Sequence, residues 1–141
     1  MLILSLPLSL SLLLSDYVED KKPLYRMCSH MGLGLAYAGT MSESATELLL
    51  PVLEDISASV EVLATTALAL AQIHVATCDG TVSEAIIQCI LQLEEDKLKS
   101  PHAKFLPLAL GLLYLCKQQN AEVRERLPFL FGCDAEKKKR N

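Results

Sequence analysis

The sequence predicts an all-α protein, an α-solenoid of about three helix-turn-helix repeats. Apolar residues make up 51% of the chain but aromatic residues only 5%, and tryptophan is absent. A core of Leu, Ala, Val and Ile favours helix-on-helix packing over a β-sandwich. A short pattern also recurs three times at a spacing typical of helical repeats, and no alternation of polar and apolar residues persists as it would in a strand.

The repeat is seen when Gly34–Thr40 is placed above Ala71–Thr77 and Gly111–Lys117, at offsets of 37 and 40 residues. A further small residue lies two positions before the start of each copy, which allows neighbouring helices to approach closely. A polar break and a second apolar segment follow each copy, so each unit holds two helices. The breaks are residues 40–44, 77–83 and 117–120, and the second segments are residues 46–53, 84–93 and 121–131.

The apolar residues of these segments predict the core, and polar residues at the breaks predict where the helices begin. In the second unit, Ser57 or Ser59 is expected to cap the first helix, and Ser83 or Thr81 the second, after a turn at residues 78–80. The first helix of each unit should be almost wholly buried and the second half exposed. The predicted core is Leu35, Leu49, Leu70, Ile73, Ile86, Ile90, Leu110 and Leu113.

The two ends do not look like repeats. Residues 1–26 are interpreted as an atypical apolar leader and linker, residues 27–131 as helical repeats, and residues 132–141 as a basic tail. The leader is too short for a membrane span and lacks the basic start and cleavage site of a signal peptide. An atypical start, as in a truncated gene model, is the preferred interpretation. The first repeat would expose residues 32–35 unless the leader folds back over them.

Charge is distributed unevenly along the chain, whose formal net charge is −4. No Lys or Arg occurs in residues 27–96, which hold ten acids. Such a surface repels nucleic acid and attracts basic protein partners, although a plain solvated face is the alternative. The five cysteines are widely spaced without a C-x-x-C pair, so neither a disulfide framework nor a zinc site is predicted. No cofactor, metal, nucleic-acid partner or membrane partner is expected.

Three segments of the repeats resemble the proteasome/cyclosome repeat family. They are His30–Thr40 with Leu48–Val52, then Thr66–Ala71 with Gly80, then Phe105–Leu115. The resemblance extends over about residues 27–123, and three ordered copies make it specific. It implies a toroidal α-solenoid inside a subunit several times longer than this chain.

The resemblance also implies a function in ubiquitin-dependent protein degradation. Family members act as non-catalytic scaffolds of the proteasome regulatory particle, in the cytoplasm and nucleus, with the other regulatory-particle subunits and ubiquitin or ubiquitin-like domains as partners. The implied contact face for ubiquitin-like domains lies on the outer helix of the second unit. It comprises Thr81, Glu84, Gln88, Gln92 and Glu95. The family pattern implies carboxylates where this chain has Thr81, Gln88 and Gln92.

Two other classes of function are considered. A stand-alone α-solenoid adaptor outside the proteasome would use the same acidic face for partner binding. A small hydrolase would rest on His74 and Cys78, one helical turn apart, but a nucleophile pair also needs an orienting group and a pocket. The Gly32-x-Gly34 step lacks the third glycine of a dinucleotide site, because residue 37 is Tyr37, and is assigned to close packing.

Overall fold

The computed structural model describes the backbone of residues 5–55 and 57–115, with side chains from residue 12 onward in those ranges. Its helices are α1 (Ser5–Val18), α2 (Pro23–Ala36), α3 (Glu43–Glu54), α4 (Val60–Ile73), α5 (Gly80–Gln92), α6 (Glu95–Leu98) and α7 (Phe105–Leu113). A 3-10 helix at Pro101–Lys104 leads into α7. No strand occurs among these residues, and the all-α prediction is confirmed.

The helices follow the predicted repeat. Helices α2 and α3 form the first unit, α4 and α5 form the second, and α7 is the first helix of the third. Helix α4 is central, since it packs against α2, α3 and α7. Eleven of the fourteen residues of α4 are buried, as predicted for a first helix, whereas α3 and α5 each bury a single stripe. The prediction was wrong for the other two first helices, because α2 buries four of its fourteen residues and α7 four of its nine. The second helix of the third unit, predicted at residues 121–131, lies outside the described residues.

The predicted core is largely correct. The side chains of Leu49, Leu70, Ile73, Ile86, Leu110 and Leu113 are at most 1% exposed. Ile90 is only half-buried at the edge of the core. Leu35 was predicted wrongly, because its side chain is 64% exposed. Helix α2 turns Leu33 towards α4, and a residue two positions further on points to the opposite side of the helix.

Backbone hydrogen bonds join successive units in the same way. After α2, the N–H groups of Gly39 and Met41 donate to the carbonyls of Gln72 (2.9 Å) and Ile73 (3.1 Å) at the end of α4. After α4, the N–H groups of the aligned residues Ala76 and Cys78 donate to the carbonyls of Leu112 and Leu113, both at 3.1 Å. The donors are offset by 37 residues and the acceptors by 40, the two offsets of the sequence repeat.

These donor residues adopt left-handed backbone conformations, with φ of 71° at Gly39 and 60° at Ala76. A non-glycine residue there costs about 1–2 kcal/mol, offset in part because glycine loses more chain entropy on folding. Ala76→Gly should therefore raise the free energy of unfolding by about 1 kcal/mol, and Gly39→Ala should lower it by about as much. Urea unfolding of both variants checks the pair. Equal shifts of the same sign would contradict this account.

Three local predictions are corrected. Asp79, rather than Ser83 or Thr81, caps α5, because its Oδ1 accepts a hydrogen bond from the Val82 N–H at 3.0 Å. Helix α4 follows Ser59 as predicted, although the Ser59 side chain makes no capping bond. Residues 1–26 were interpreted as a leader and linker, yet most of the polar part, residues 16–26, is helical. Proline at the first position of α2 supplies a dihedral suited to a helix start, so only four residues separate α1 from α2.

The leader folds back over the first unit. Helix α1 packs on α2 and also touches α3, as α3 packs on α4 and touches α5. It therefore takes the position that the second helix of a preceding unit would occupy. The Val18 carbonyl at its end is 3.1 Å from the buried His30 Nε2 and accepts a bond from Arg26 Nε at 3.2 Å. Gly32 faces this helix, since a Cβ built on it would lie 3.0 Å from Leu14 Cδ1, whereas Gly34 is buried against α4.

Candidate protein-interaction face

The predicted contact residues of α5 share one exposed side of that helix. Thr81, Glu84, Gln88 and Gln92 are spaced by three or four residues, so they stand above one another on a helix. All four are exposed, and all four line a groove of about 480 Å³ between α5 and α3. Glu95 is also exposed, but it begins α6 and does not line the groove.

Capping and apolar spacing explain why this side faces outward. Ser42 accepts a bond from the Ala45 N–H and so begins α3, as Asp79 begins α5. The buried positions of α5 are Val82, Ser83, Ile86 and Cys89, which form a helical stripe towards the core. The residues between them are left on the opposite side, where the edge of α3 supplies the second wall of the groove.

The α3 wall was not predicted from the sequence. It consists of Leu50, Leu53 and Glu54. The repeat pattern could have predicted this wall, because the second helices of adjacent units lie side by side in a solenoid. A face on α5 is therefore bounded by the helix one unit earlier.

The chemistry of the groove is an apolar floor with an acidic and amide rim. Leu50 and Leu53 provide apolar surface, while Glu54 and Glu84 provide negative charge. No Lys or Arg occurs in residues 27–96, so both walls lack a basic residue. Burial raises the pKa of the Cys89 thiol, which therefore stays protonated and acts as a packing group. Such a surface suits a partner with an apolar centre and basic rim.

His74 joins the end of α4 to α3. Its Nε2 is 2.8 Å from Thr46 Oγ1, and Thr46 Oγ1 is also 2.8 Å from the Ser42 carbonyl. Its Nδ1 is 3.9 Å from Asp79 Oδ2, which is too long for a hydrogen bond. The ring is buried among these groups and bonds Thr46 rather than a thiol. This geometry supports a packing role over the hydrolase interpretation.

The Gly32-x-Gly34 step is a packing feature, as predicted. A Cβ built on Gly34 would lie 2.7 Å from Ala69 Cα, so α2 and α4 approach closely at this point. Within residues 5–55 and 57–115, no three His, Cys, Asp or Glu side chains are grouped closely enough to hold a metal ion. In the same part of the chain, no helix is long and apolar enough to cross a membrane.

Fold and groove together define the chain as a helical-repeat protein with an acidic groove between the second helices of two units. Comparison with known families matches residues 31–62, from α2 to the start of α4, to the proteasome/cyclosome repeat. This part of the chain is a proteasome/cyclosome repeat, as the sequence resemblance suggested.

Curated relatives agree with this family. The chain is 39% identical over 109 residues, 77% of its length, to the 26S proteasome regulatory subunit rpn-1 of Neurospora crassa. It is 39% identical over 111 residues, 79% of its length, to the 26S proteasome non-ATPase regulatory subunit 2 of Dictyostelium discoideum. It is 38% identical over 84 residues to the 26S proteasome non-ATPase regulatory subunit 2 homolog A of Arabidopsis thaliana. The chain spans about 12% of the length of the first two proteins and 9% of the third.

Proposed function

We propose that this chain acts as a non-catalytic scaffold element in the proteasome regulatory particle. The similarity to 26S proteasome regulatory subunits over more than three quarters of the chain carries the proposal. Those relatives are named regulatory or non-ATPase subunits, which supports a role in docking rather than catalysis. The proposed partners are other regulatory-particle subunits, in the cytoplasm and nucleus, and the proposed repeat region extends over residues 27–131.

Affinity purification of the tagged full chain, followed by mass spectrometry, tests the scaffold role. Enrichment of regulatory-particle subunits is the expected result. Glu84→Lys changes the exposed rim of the groove, and Glu47→Lys, at an exposed glutamate that does not line the groove, is its matched control. A reproducible set of partners without any proteasome subunit would contradict the proposal and favour the stand-alone adaptor.

We further propose that the groove between α3 and α5 is the contact face for ubiquitin-like domains. Thr81, Glu84, Gln88 and Gln92 line it together with Glu54, and Glu95 extends the exposed acidic surface beyond it. Opposite charges across an interface contribute specificity and association rate, so a basic partner face is favoured. Because Gln88 and Gln92 are neutral, we expect the present sequence to bind weakly.

Restoring carboxylates should strengthen this binding. Gln88→Asp with Gln92→Glu is expected to lower the Kd for an isotopically labelled ubiquitin-like domain by roughly threefold to tenfold, because exposed charge pairs contribute about 0.2–1 kcal/mol each. NMR titration gives the Kd. The control, Thr40→Glu with Ser44→Glu, adds equal charge at an exposed site outside the groove. An unchanged Kd for the groove variant, or an equal gain for the control, would remove the groove from the interface.

A further inference from the structure

Helix α1 covers one side of the first unit, but its own outer side and the start of α2 carry an apolar surface. Leu14, Tyr17, Tyr25 and Cys28 line a groove of about 480 Å³ between α1 and α2. The Tyr17 and Tyr25 rings meet edge to face, with centroids 6.3 Å apart. This groove lies at the opposite end of the described chain from α7, and the proposed ubiquitin-like contact face uses none of its residues.

The apolar surface around this groove is unusually exposed for its residue types. The side chains of Leu12, Leu13 and Leu24 are 71%, 67% and 65% exposed, and those of Tyr17 and Tyr25 are about half exposed. Val18, on the inner side of α1, is only 3% exposed, so that side of the helix is already packed against the rest of the chain. Clustered leucines and tyrosines of this kind mark an interaction site.

Charges beside this surface indicate what covers it. Residues 16–26 hold three acids and three bases, whereas residues 27–96 hold no Lys or Arg. Lys22 Nζ lies 5.1 Å from the centre of the Tyr25 ring, so this basic residue borders the groove directly. Asp16 and Glu19, on α1 and just after it, are exposed, so this part of the surface carries acids as well. A partner of a single charge sign, such as an anionic membrane, would be repelled by half of this rim.

We propose that this surface, formed by the exposed sides of α1 and the start of α2, binds a second copy of this chain in a two-fold arrangement. In such a contact each pair occurs twice, because a residue of the first copy meets a given residue of the second and the reverse contact also forms. The basic residues Lys21 and Lys22 of one copy then face Asp16 and Glu19 of the other, while leucines and tyrosines meet at the centre. The mixed rim is thus complementary to itself. The acidic α3–α5 groove of another copy would be complementary only to the basic residues of this rim.

Sedimentation of the full chain over a concentration series tests the dimer. We expect a monomer–dimer equilibrium that Leu13→Glu shifts to monomer, because a carboxylate would be buried at the centre. Leu91→Glu is the control, since Leu91 is 60% exposed on α5, away from the surface. A strictly monomeric wild-type chain, or dissociation by Leu91→Glu alone, would overturn the proposal.

Charge exchange keeps the test independent of any folding defect. Lys21→Glu with Lys22→Glu, and separately Asp16→Lys with Glu19→Lys, should each weaken self-association by about tenfold or more through like-charge repulsion. Mixing the two variants in equal amounts should restore the dimer. Failure of the mixture to associate contradicts the two-fold contact. Binding to phosphatidylserine vesicles without dimer formation would assign the surface to a membrane instead.

Discussion

Replacing Gly34 with alanine should lower the free energy of unfolding by about 3 kcal/mol, at the upper end of overpacking costs. The added Cβ would lie 2.7 Å from the Cα of Ala69, 2.8 Å from its Cβ and 2.7 Å from Gln72 Oε1. The Gln72 side chain can move, but the Ala69 backbone lies within the buried helix α4. Helices α2 and α4 must therefore separate, which weakens the contact between the first two units.

Gly111 provides the matched control for Gly34 because it occupies the aligned position in the third unit. No atom lies within 4 Å of a Cβ built there. Gly111→Ala should therefore raise stability by up to about 1 kcal/mol through helix propensity alone. Thermal and urea unfolding of both variants compare the two sites. If Gly34→Ala were as stable as Gly111→Ala, the close approach of α2 and α4 would be disproved.

The repeat was predictable because it depends on local composition. Small residues at aligned positions correctly predicted the close approach at Gly34, and Ala69, Ala71 and Ala109 are fully buried. The aligned Gly111 is exposed, so the pattern did not predict a contact at every copy. The links between units were not predictable, because the bonds from Gly39 and Ala76 use backbone groups that every residue carries. Only their offsets, equal to those of the sequence repeat, connect them to the sequence.

The leader shows a different limit of sequence-based prediction. A run of leucines and serines has no strong helical stripe, so its direction relative to the repeats could not be inferred. Two side chains of α2, Arg26 and His30, determine where it ends by bonding the Val18 carbonyl. The α3 wall of the candidate face was missed for a related reason, since a groove between units is a property of two helices and is absent from either segment alone.

Acidification from pH 6.5 to 4 should destabilise the chain by up to about 3 kcal/mol, owing to a single residue, His30. The ring is fully buried, and burial lowers the pKa of His30 to about 4, with nearby Arg26 lowering it further. Unfolding returns that pKa to about 6.5. Between these values the unfolded state binds more protons than the folded state, so stability is complete above pH 6.5 and declines as the pH falls towards 4.

The hydrogen bonds of His30 identify the form that the fold retains. Nε2 lies 3.1 Å from the Val18 carbonyl, which can only accept, so Nε2 carries the proton of the neutral ring. Nδ1 then accepts from Thr66 Oγ1 at 2.8 Å. Protonation would force Thr66 to accept instead and to donate to the Val62 carbonyl at 2.7 Å. That arrangement satisfies every hydrogen bond, so desolvation of the charge, rather than a lost bond, is the source of the destabilisation.

Urea unfolding at a series of pH values measures this effect. The slope of the unfolding free energy should approach about 1.4 kcal/mol per pH unit between pH 6 and 4.5, the value for one proton. His30→Gln is the control, because an amide can bond the Val18 carbonyl but does not titrate in this range. The variant retains His74 and His102, so any slope that remains belongs to the rest of the chain. An unchanged slope in His30→Gln would show that His30 is not the titrating group and that α1 is held to α2 without a buried neutral imidazole.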